Sequence, residues 1–294
     1  MTSPPARTWT WSLHAHVLGN DHDAILGTCK AVDVHSVEMH PFHLEGLSLR
    51  ELEALQQRYV EAGVRIDSFH LPFTSEDDLT AFYETERRRA VDRMRCWLER
   101  LPALNVRVAV AHPGTRRYSV DVEGLDPFLR QLERSLKELL PMAESSGIQI
   151  ALENMLPGPD GGRLGSRPDH FERFATAFDH PYLKFCLDTG HALVAGGPER
   201  AGEFFEVMAS RLAAFHLADN AGDRDSHLAP GHGLVDWIHF FRQVSRLNYR
   251  HGMCVEAPPF APGPNYTLEA WRQMFTDLDE WVQQALKSIL HERG

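Results

Sequence analysis

The chain has 294 residues, 43% of them hydrophobic and 24% charged, which is enough to bury one large core and fits a single domain of barrel size. Its 41 acidic and 30 basic residues give a net charge of −11 without a dense run of Lys and Arg, so nucleic acid is disfavoured as a partner. The opening MTSPPARTWTW lacks the apolar region of a signal peptide, and no stretch reaches the roughly 20 apolar residues of a membrane span, so we expect a soluble cytoplasmic protein with no membrane partner.

Short β-branched or apolar runs alternate with longer amphipathic stretches along the chain. The eight runs, taken as predicted strands in chain order, are Trp9–Val17, Val32–Met39, Val64–Phe73, Asn105–Gly114, Ile148–Asn154, Tyr182–Gly190, Leu212–Asp219 and Gly252–Pro258. The stretches between them, such as LSLRELEALQQRYVEAG, have the apolar spacing of helices. Eight strand–helix units predict one (β/α)8 TIM barrel as a single domain over residues 1–294. A doubly wound open sheet, the alternative, needs a glycine-rich phosphate loop after an early strand, and VLGNDHDAILG is not one.

Ionisable side chains follow the predicted strands at one end. In such a barrel the chemistry lies where strands end and βα loops begin. Strands three to eight and their loops supply nine candidates: His70, His112, Glu153, Asp188, His191, His216, Asp225, His227 and Glu256. Buried carboxylates are costly unless paired or coordinated, and a divalent cation compensates them. Nitrogen and oxygen ligands without thiolate favour zinc, manganese or cobalt, so the set predicts a divalent-metal site.

The order of these motifs is itself informative. HLPF, HPG, LEN, LDTGHA, FHLAD with DSH and PGHG, and VE follow one another along the chain. This order resembles the xylose-isomerase-like TIM-barrel superfamily, which includes sugar and sugar-phosphate isomerases and epimerases and endonuclease IV. The resemblance covers nearly the whole chain. It implies a bound zinc or manganese ion and a small sugar or sugar phosphate as the molecular partner, and it leaves a homo-oligomer open.

Resemblance to the epimerase branch implies one metal ion. Its four ligands would be Glu153, Asp188, His216 and Glu256. Glu153 and Glu256 would also act as an acid/base pair, one removing the proton next to a carbonyl and the other returning a proton to the enediolate that the metal holds. Substrate contacts are expected from His70, His112, His191 and Arg224. Arg224 is included because that branch often has Arg where this chain has Gly222.

Resemblance to the endonuclease IV branch implies a different use of the same positions. There all nine groups hold three zinc ions, which generate hydroxide and clamp a scissile phosphate. The ligands beyond the first four would be His70, His112, His191, Asp225 and His227. The apparatus that grips DNA is missing, because the loop HPFHLEG has no Arg before Arg50 and the acidic chain repels a polyanion. We therefore predict a metal-dependent isomerase or epimerase of a small sugar, polyol or sugar phosphate, with a multinuclear zinc phosphoesterase as the alternative.

Three features have no assigned role at this point. The loop Leu156–Pro168 is rich in Gly and Pro and is either a lid over the site or a tolerated insertion. His232 stands in the PGHG turn where relatives commonly have Glu. The polar positions of the first two strands, which either line the pocket or pack at the barrel rim or bottom, are His14, His16, Glu38 and His40.

Overall fold

A computed structural model of the chain describes residues 9–158, 162–260 and 266–292. Its strands are β1 (Thr10–His14), β2 (Ser36–Met39), β3 (Arg65–His70), β4 (Val108–Ala111), β5 (Gln149–Glu153), β6 (Leu183–Asp188), β7 (Leu212–Leu217) and β8 (Gly252–Val255). Each strand pairs in parallel with the next, and β1 pairs with β8 to close the barrel. The predicted (β/α)8 barrel is confirmed, and closure excludes the doubly wound open sheet. The single-domain assignment to residues 1–294 stays a prediction.

The helices surround the barrel. They are α1 (His22–Ala31), α2 (Pro41–Leu44), α3 (Leu49–Glu61), α4 (Glu84–Arg100), α5 (Val120–Glu123), α6 (Leu125–Ser145), α7 (Pro168–Ala177), α8 (Thr189–Gly196), α9 (Arg200–Met208), α10 (Trp237–Val244) and α11 (Leu268–Glu292). Helix α3 begins with a capping box in which Ser48 and Glu51 satisfy each other's backbone N–H groups. Helix α6 turns Phe128, Leu132 and Leu136 into the core. In the described part of the chain, no helix is long and apolar enough to cross a bilayer.

Seven of the eight strands end earlier than the predicted runs, whereas β2 ends at Met39 as predicted. The first run was predicted to reach Val17, but β1 ends at His14 and Ala15–Leu18 forms a 3₁₀ turn. The sixth was predicted to reach Gly190, but β6 ends at Asp188 because its carboxylate caps α8, accepting a hydrogen bond from the His191 N–H at 2.6 Å. Capping turns the chain away from the strand at the point where the polar residues begin.

The barrel interior is filled below the strand ends. A layer of small apolar side chains closes its centre: Val108, Val110, Ala151, Cys186, Ala213 and Ala214. Nearer the amino ends of the strands, the Ser36 hydroxyl lies 3.0 Å from that of Ser12 and 2.8 Å from Asp67 Oδ2. Gly252 faces this point, where a Cβ would come within 2.8 Å of both serine side chains. The interior is therefore a packed core, and the large cavity opens at the carboxyl ends.

Candidate active site at the carboxyl ends of the strands

The predicted ionisable groups meet at one end of the barrel. His70, Glu153 and Asp188 are the last residues of β3, β5 and β6. Above them lies a cavity of about 830 Å³. The predicted residues that line it are His70, His112, Glu153, His191, Asp225, His227 and Glu256. Asp188 and His216 are 1% and 0% exposed, so they lie beneath its floor.

Four of these residues converge closely enough to share one ion. Glu153, Asp188, His216 and Glu256 each offer one ligand atom, and these atoms lie within 4.8 Å of one another. Nδ1 of His216 is 3.0 Å from Glu153 Oε1, 2.9 Å from Glu256 Oε2 and 4.0 Å from Asp188 Oδ2. We call these four residues the four-ligand group. It is the set that the sequence predicts for a single metal ion.

The electrostatics of the four-ligand group call for a cation. Burial, reinforced by the neighbouring Glu153 and Glu256 carboxylates, raises the pKa of Asp188 to about 7. Among the described residues, Oδ2 of Asp188 is buried without a hydrogen-bond partner. Three carboxylates facing one imidazole nitrogen leave excess negative charge in a low-dielectric site, which a divalent ion neutralises. Three oxygen ligands and one nitrogen suit zinc or manganese.

Glu38 of β2 holds the His216 ring from below. Nε2 of His216 lies 2.9 Å from Glu38 Oε1, and the Ser68 hydroxyl donates to Glu38 Oε2 at 2.6 Å. A ring that donates its Nε2–H to a carboxylate keeps its Nδ1 lone pair for a metal, which is the usual arrangement behind metal-bound histidines. From the sequence, Glu38 was expected either to line the pocket or to pack at the barrel rim or bottom. Its signal was a carboxylate inside an otherwise buried strand, SVEM.

His70 and His112 approach Glu153 from the other side, and the three form a second group of potential ligands. His70 lies between two acceptors, because its Nδ1 is 2.8 Å from the Leu71 carbonyl and its Nε2 is 3.3 Å from Glu153 Oε2. His112 differs. Its Nδ1 lies 3.3 Å from Nη2 of Arg163, and since arginine only donates, the hydrogen-bond network places the His112 proton on Nε2, facing Glu153 at 3.1 Å. In this arrangement His112 is a donor to Glu153.

A third cluster lies across the cavity around Asp225. His191 and His227 point Nε2 at Asp225 Oδ2, at 3.4 and 3.2 Å. Their Nδ1 atoms lie 2.9 Å from the Asn154 carbonyl and 2.8 Å from the Glu256 carbonyl, to which they donate. Burial opposes ionisation of Asp225, but the hydrogen bonds from the two imidazoles outweigh burial and hold its pKa far below the ordinary value. The structure thus brings all nine predicted groups together.

The remaining predicted features lie in different parts of the molecule. Arg224 is exposed and does not line the cavity, so its substrate contact stays a prediction. The ring of His232 stacks on Phe260 with centroids 4.1 Å apart. Within the loop Leu156–Pro168, residues 159–161 lie outside the described residues, and the predicted choice between lid and insertion stays open. His14 is buried, with Nε2 3.4 Å from Glu38 and 3.6 Å from Glu256.

Arg163 is the residue of the cavity wall that the sequence analysis missed. It is 7% exposed and lines the cavity beside His112. Its guanidinium also donates to the Gly114 carbonyl, at 3.3 Å from Nε and 3.1 Å from Nη2. No local pattern marks it, because it lies in a Gly- and Pro-rich loop and meets residues about fifty positions earlier only after the barrel closes.

Comparison with known proteins places the chain in a family. The model of the xylose isomerase-like TIM barrel family matches residues 26–281. An uncharacterised protein of Methanocaldococcus jannaschii is 29% identical over 73% of this chain and 70% of its own length. A probable endonuclease 4 of Shouchella clausii is 28% identical over 63% of this chain and 64% of its own length.

Solved structures agree on the fold. The crystal structure of a D-tagatose 3-epimerase-like protein superposes with a TM-score of 0.77 at 23% identity, covering 95% of this chain and 99% of that one. At this identity the likeness shows the fold alone. Together with the match of the family model over most of the chain, it supports one conclusion. The chain belongs to the xylose isomerase-like TIM barrel family.

Proposed function

We propose that the protein is a divalent-metal-dependent isomerase or epimerase of a small sugar, polyol or sugar phosphate. One observation carries the proposal: Glu153 and Glu256 both face Nδ1 of His216 in the four-ligand group and both line the cavity. Two carboxylates that reach a substrate bound between them are what removal and return of a proton beside a carbonyl require. The predicted cytoplasmic location and self-association stay predictions.

The chain's own residues supply the proton transfers. Burial opposes ionisation of Glu153, but His216, with hydrogen bonds from His112 and His191, outweighs burial and keeps the pKa of Glu153 well below its ordinary value. Glu256 is held ionised in the same way, chiefly by His216 against burial. One ionised glutamate therefore takes the proton from the carbon beside the carbonyl. The other, also ionised at rest, first takes up a proton from solvent and then delivers it to that carbon from the opposite face.

A zinc or manganese ion bound by the four-ligand group would supply Lewis acidity and orient the carbonyl and its neighbouring hydroxyl. His112 donates to Glu153, and both residues line the cavity in which the substrate would bind. His70 and His191 line the same cavity, in keeping with their predicted substrate contacts. Each contact fixes the sugar relative to the two glutamates, which is how positioning lowers the barrier.

A multinuclear zinc phosphoesterase is the second candidate, and one observation favours it. His70, His191 and His227 each place Nδ1 on a backbone carbonyl and aim Nε2 at a carboxylate, so a metal ion that displaced the Nε2 proton would meet a ring already held in orientation. The resemblance to a probable endonuclease 4 points the same way. Against it stands His112, whose Nε2 proton leaves no lone pair toward Glu153. The hydrogen-bond network therefore favours the isomerase.

The proposal is tested by turnover in heavy water. Metal-loaded protein is incubated in D₂O with a panel of ketopentoses, ketohexoses and their phosphates, and products are examined by NMR. We expect an epimer or aldose–ketose pair with deuterium at the carbon beside the carbonyl. Hydrolysis of bis(p-nitrophenyl) phosphate without conversion of any sugar would contradict the proposal and support the phosphoesterase. Conversion without deuterium requires a tritium-labelled substrate to detect internal proton return.

A further inference from the structure

The cavity above the four-ligand group contains a buried cation that the proton transfers do not use. Arg163 is only 7% exposed, yet it lines the cavity. In the described part of the chain it forms no ion pair, and its hydrogen bonds go to the Gly114 carbonyl and His112 Nδ1. A guanidinium taken out of water is costly without an anionic partner. The arrangement is therefore incomplete without an anion.

The backbone around Arg163 is held in place. The Gly162 N–H donates to Asp121 Oδ2 at 2.7 Å, and the Ser166 hydroxyl donates to the Arg163 carbonyl at 2.7 Å. A Cβ on Gly162 would come within 2.9 Å of the same Asp121 oxygen, so this close approach depends on glycine. The guanidinium is thus presented to the cavity by an anchored segment, which reduces the entropy lost when it binds a ligand.

Arginines and carboxylates share this wall of the cavity, where Glu76, Asp78 and Glu86 lie beside four arginines. The arginines that line the cavity are Arg89, Arg116, Arg117 and Arg163. Arg117 is paired with Glu86 at 2.6 Å, whereas Arg89 and Arg116 form no ion pair with any described residue. Asp78 is occupied by hydrogen bonds from two threonine hydroxyls. Burial, together with the charge of Arg116, lowers the pKa of Arg163 to about 10, which leaves it cationic at neutral pH.

We propose that Arg163 binds the phosphate group of the substrate, so that the site takes a phosphorylated sugar in preference to a free one. This rests on the proposed function, since it names the substrate class of the same site. Nε and Nη2 of Arg163 already donate to Gly114 and His112, so the Nη1 amino group is the part that can donate to phosphate oxygens. Arg89 and Arg116, which form no ion pair with any described residue, favour a phosphate dianion over a monoanionic carboxylate. His112 alone separates Arg163 from Glu153, so the phosphate and the carbonyl are two ends of one small molecule.

Equilibrium binding to the metal-loaded protein tests this inference without turnover. Calorimetry compares inorganic phosphate, D-ribulose 5-phosphate, D-ribulose and D-ribonate, which separate the phosphate, the sugar and a carboxylate. We expect the phosphate ester to bind at least about 10-fold more tightly than free ribulose. Arg163→Gln should weaken binding of the ester and of phosphate by roughly 10- to 100-fold, and should change binding of ribulose by no more than the few-fold expected from losing the Arg163 contact with His112. Arg117→Gln, an arginine of the same wall already paired with Glu86, is the matched control.

Several outcomes would overturn the inference. If wild type and Arg163→Gln are both folded, equally metal-loaded and bind the ester with equal affinity, Arg163 does not contact the phosphate. Tighter binding of ribonate indicates a sugar acid, and tight Arg163-dependent binding of an abasic oligonucleotide indicates a phosphodiester. If Arg163→Gln fails to fold, Arg163→Lys keeps the charge without the paired donors and should weaken the ester about several-fold. Absence of sugar turnover with Arg163-dependent ester binding would refute the proposed function and leave the phosphate subsite standing.

Discussion

The inward-facing positions of the barrel strands form two layers of opposite character. Residues two apart on a strand face the same side, about 7 Å from each other. On five strands the lower residue is apolar or a thiol and the upper one is ionisable, as in the pairs Val110 and His112, Ala151 and Glu153, Cys186 and Asp188, Ala214 and His216, and Cys254 and Glu256. On these five strands the change from packed core to charged site takes two residues, and His112 and Glu256 lie one residue past the ends of β4 and β8.

The two layers contribute differently to folding. The lower layer stabilises the barrel because its side chains leave water and fill space. The upper layer places Glu153, Asp188 and Glu256 around one imidazole, where burial opposes ionisation and a buried oxygen of Asp188 has no partner among the described residues. The lower layer therefore stabilises the barrel, whereas the stability of the upper layer depends on the ligand that binds there. Substitutions should therefore separate stability from activity.

Glu153→Gln and Glu256→Gln should have the largest effect and should act on activity. Each removes both a proton acceptor and a negatively charged ligand while keeping the side-chain size. We expect turnover to fall by on the order of 1000-fold, within the range attributed to general acid–base catalysis, while the barrel still folds. Rates of sugar conversion and circular dichroism check both halves of the expectation. Glu206→Gln, on the exposed face of α9, is the control. More than about a tenth of wild-type turnover in either variant would contradict the acid/base roles.

Metal binding should stabilise the upper layer, and Glu38 should increase the affinity of the site for the metal. Zinc or manganese at 100 times its dissociation constant should add about 2.7 kcal/mol to the free energy of unfolding. Glu38→Ala, which removes the acceptor for His216 Nε2–H, should weaken metal binding by about 10- to 100-fold, and Glu38→Gln should weaken it less because an acceptor oxygen remains. Chelator competition measures the affinities, with the exposed Glu45→Ala as control. Unchanged affinity in Glu38→Ala would show that the ring needs no support from below.

Val110→Ala should break the lower layer and spare the upper one. Val110 is fully buried in the apolar layer, two residues before His112. Removing two buried methyl groups should cost about 1–3 kcal/mol of unfolding free energy through lost burial and a residual cavity. Urea unfolding measures the loss, and turnover per folded molecule should stay within about twofold of wild type. A fall in turnover comparable to that of Glu153→Gln would mean that the two layers are not separable.

The site residues could be predicted because their signals are local. Alternation along each strand and the position of ionisable residues at strand ends are read from a few neighbouring letters, so Glu153, Asp188 and Glu256 follow from LEN, LDTGHA and VE. The exact strand ends were not predictable in the same way. The run from Trp9 was predicted to end three residues beyond the end of β1, because a 3₁₀ turn with an apolar sequence continues the pattern of the strand.

The long-range contacts could not be predicted from the sequence. Glu38 meets His216 across 178 positions, and Arg163 meets His112 across 51. Neither pair has a spacing that a single sequence reveals, since both depend on where β2 and the loop after β5 come to lie when the barrel closes. Those contacts decide which imidazole nitrogen holds a proton. The choice between one metal ion and several stays a prediction, and the contact between Arg163 and His112 is the observation on which we base it.

His70→Ala and His112→Ala should have the smallest effect, and they test the choice between the two functions. Because the Arg163 N–H occupies Nδ1 of His112, the ring proton lies on Nε2 and His112 acts as a donor to Glu153. We therefore expect one tightly held metal ion per chain in wild type and in both variants, with KM for the sugar raised a few-fold. Elemental analysis after dialysis gives the count, beside assays of ketose conversion and of bis(p-nitrophenyl) phosphate hydrolysis. Two or more ions per wild-type chain, lost on either substitution and accompanied by diesterase activity alone, would establish that His70 and His112 are ligands and that the upper layer is a phosphoesterase centre.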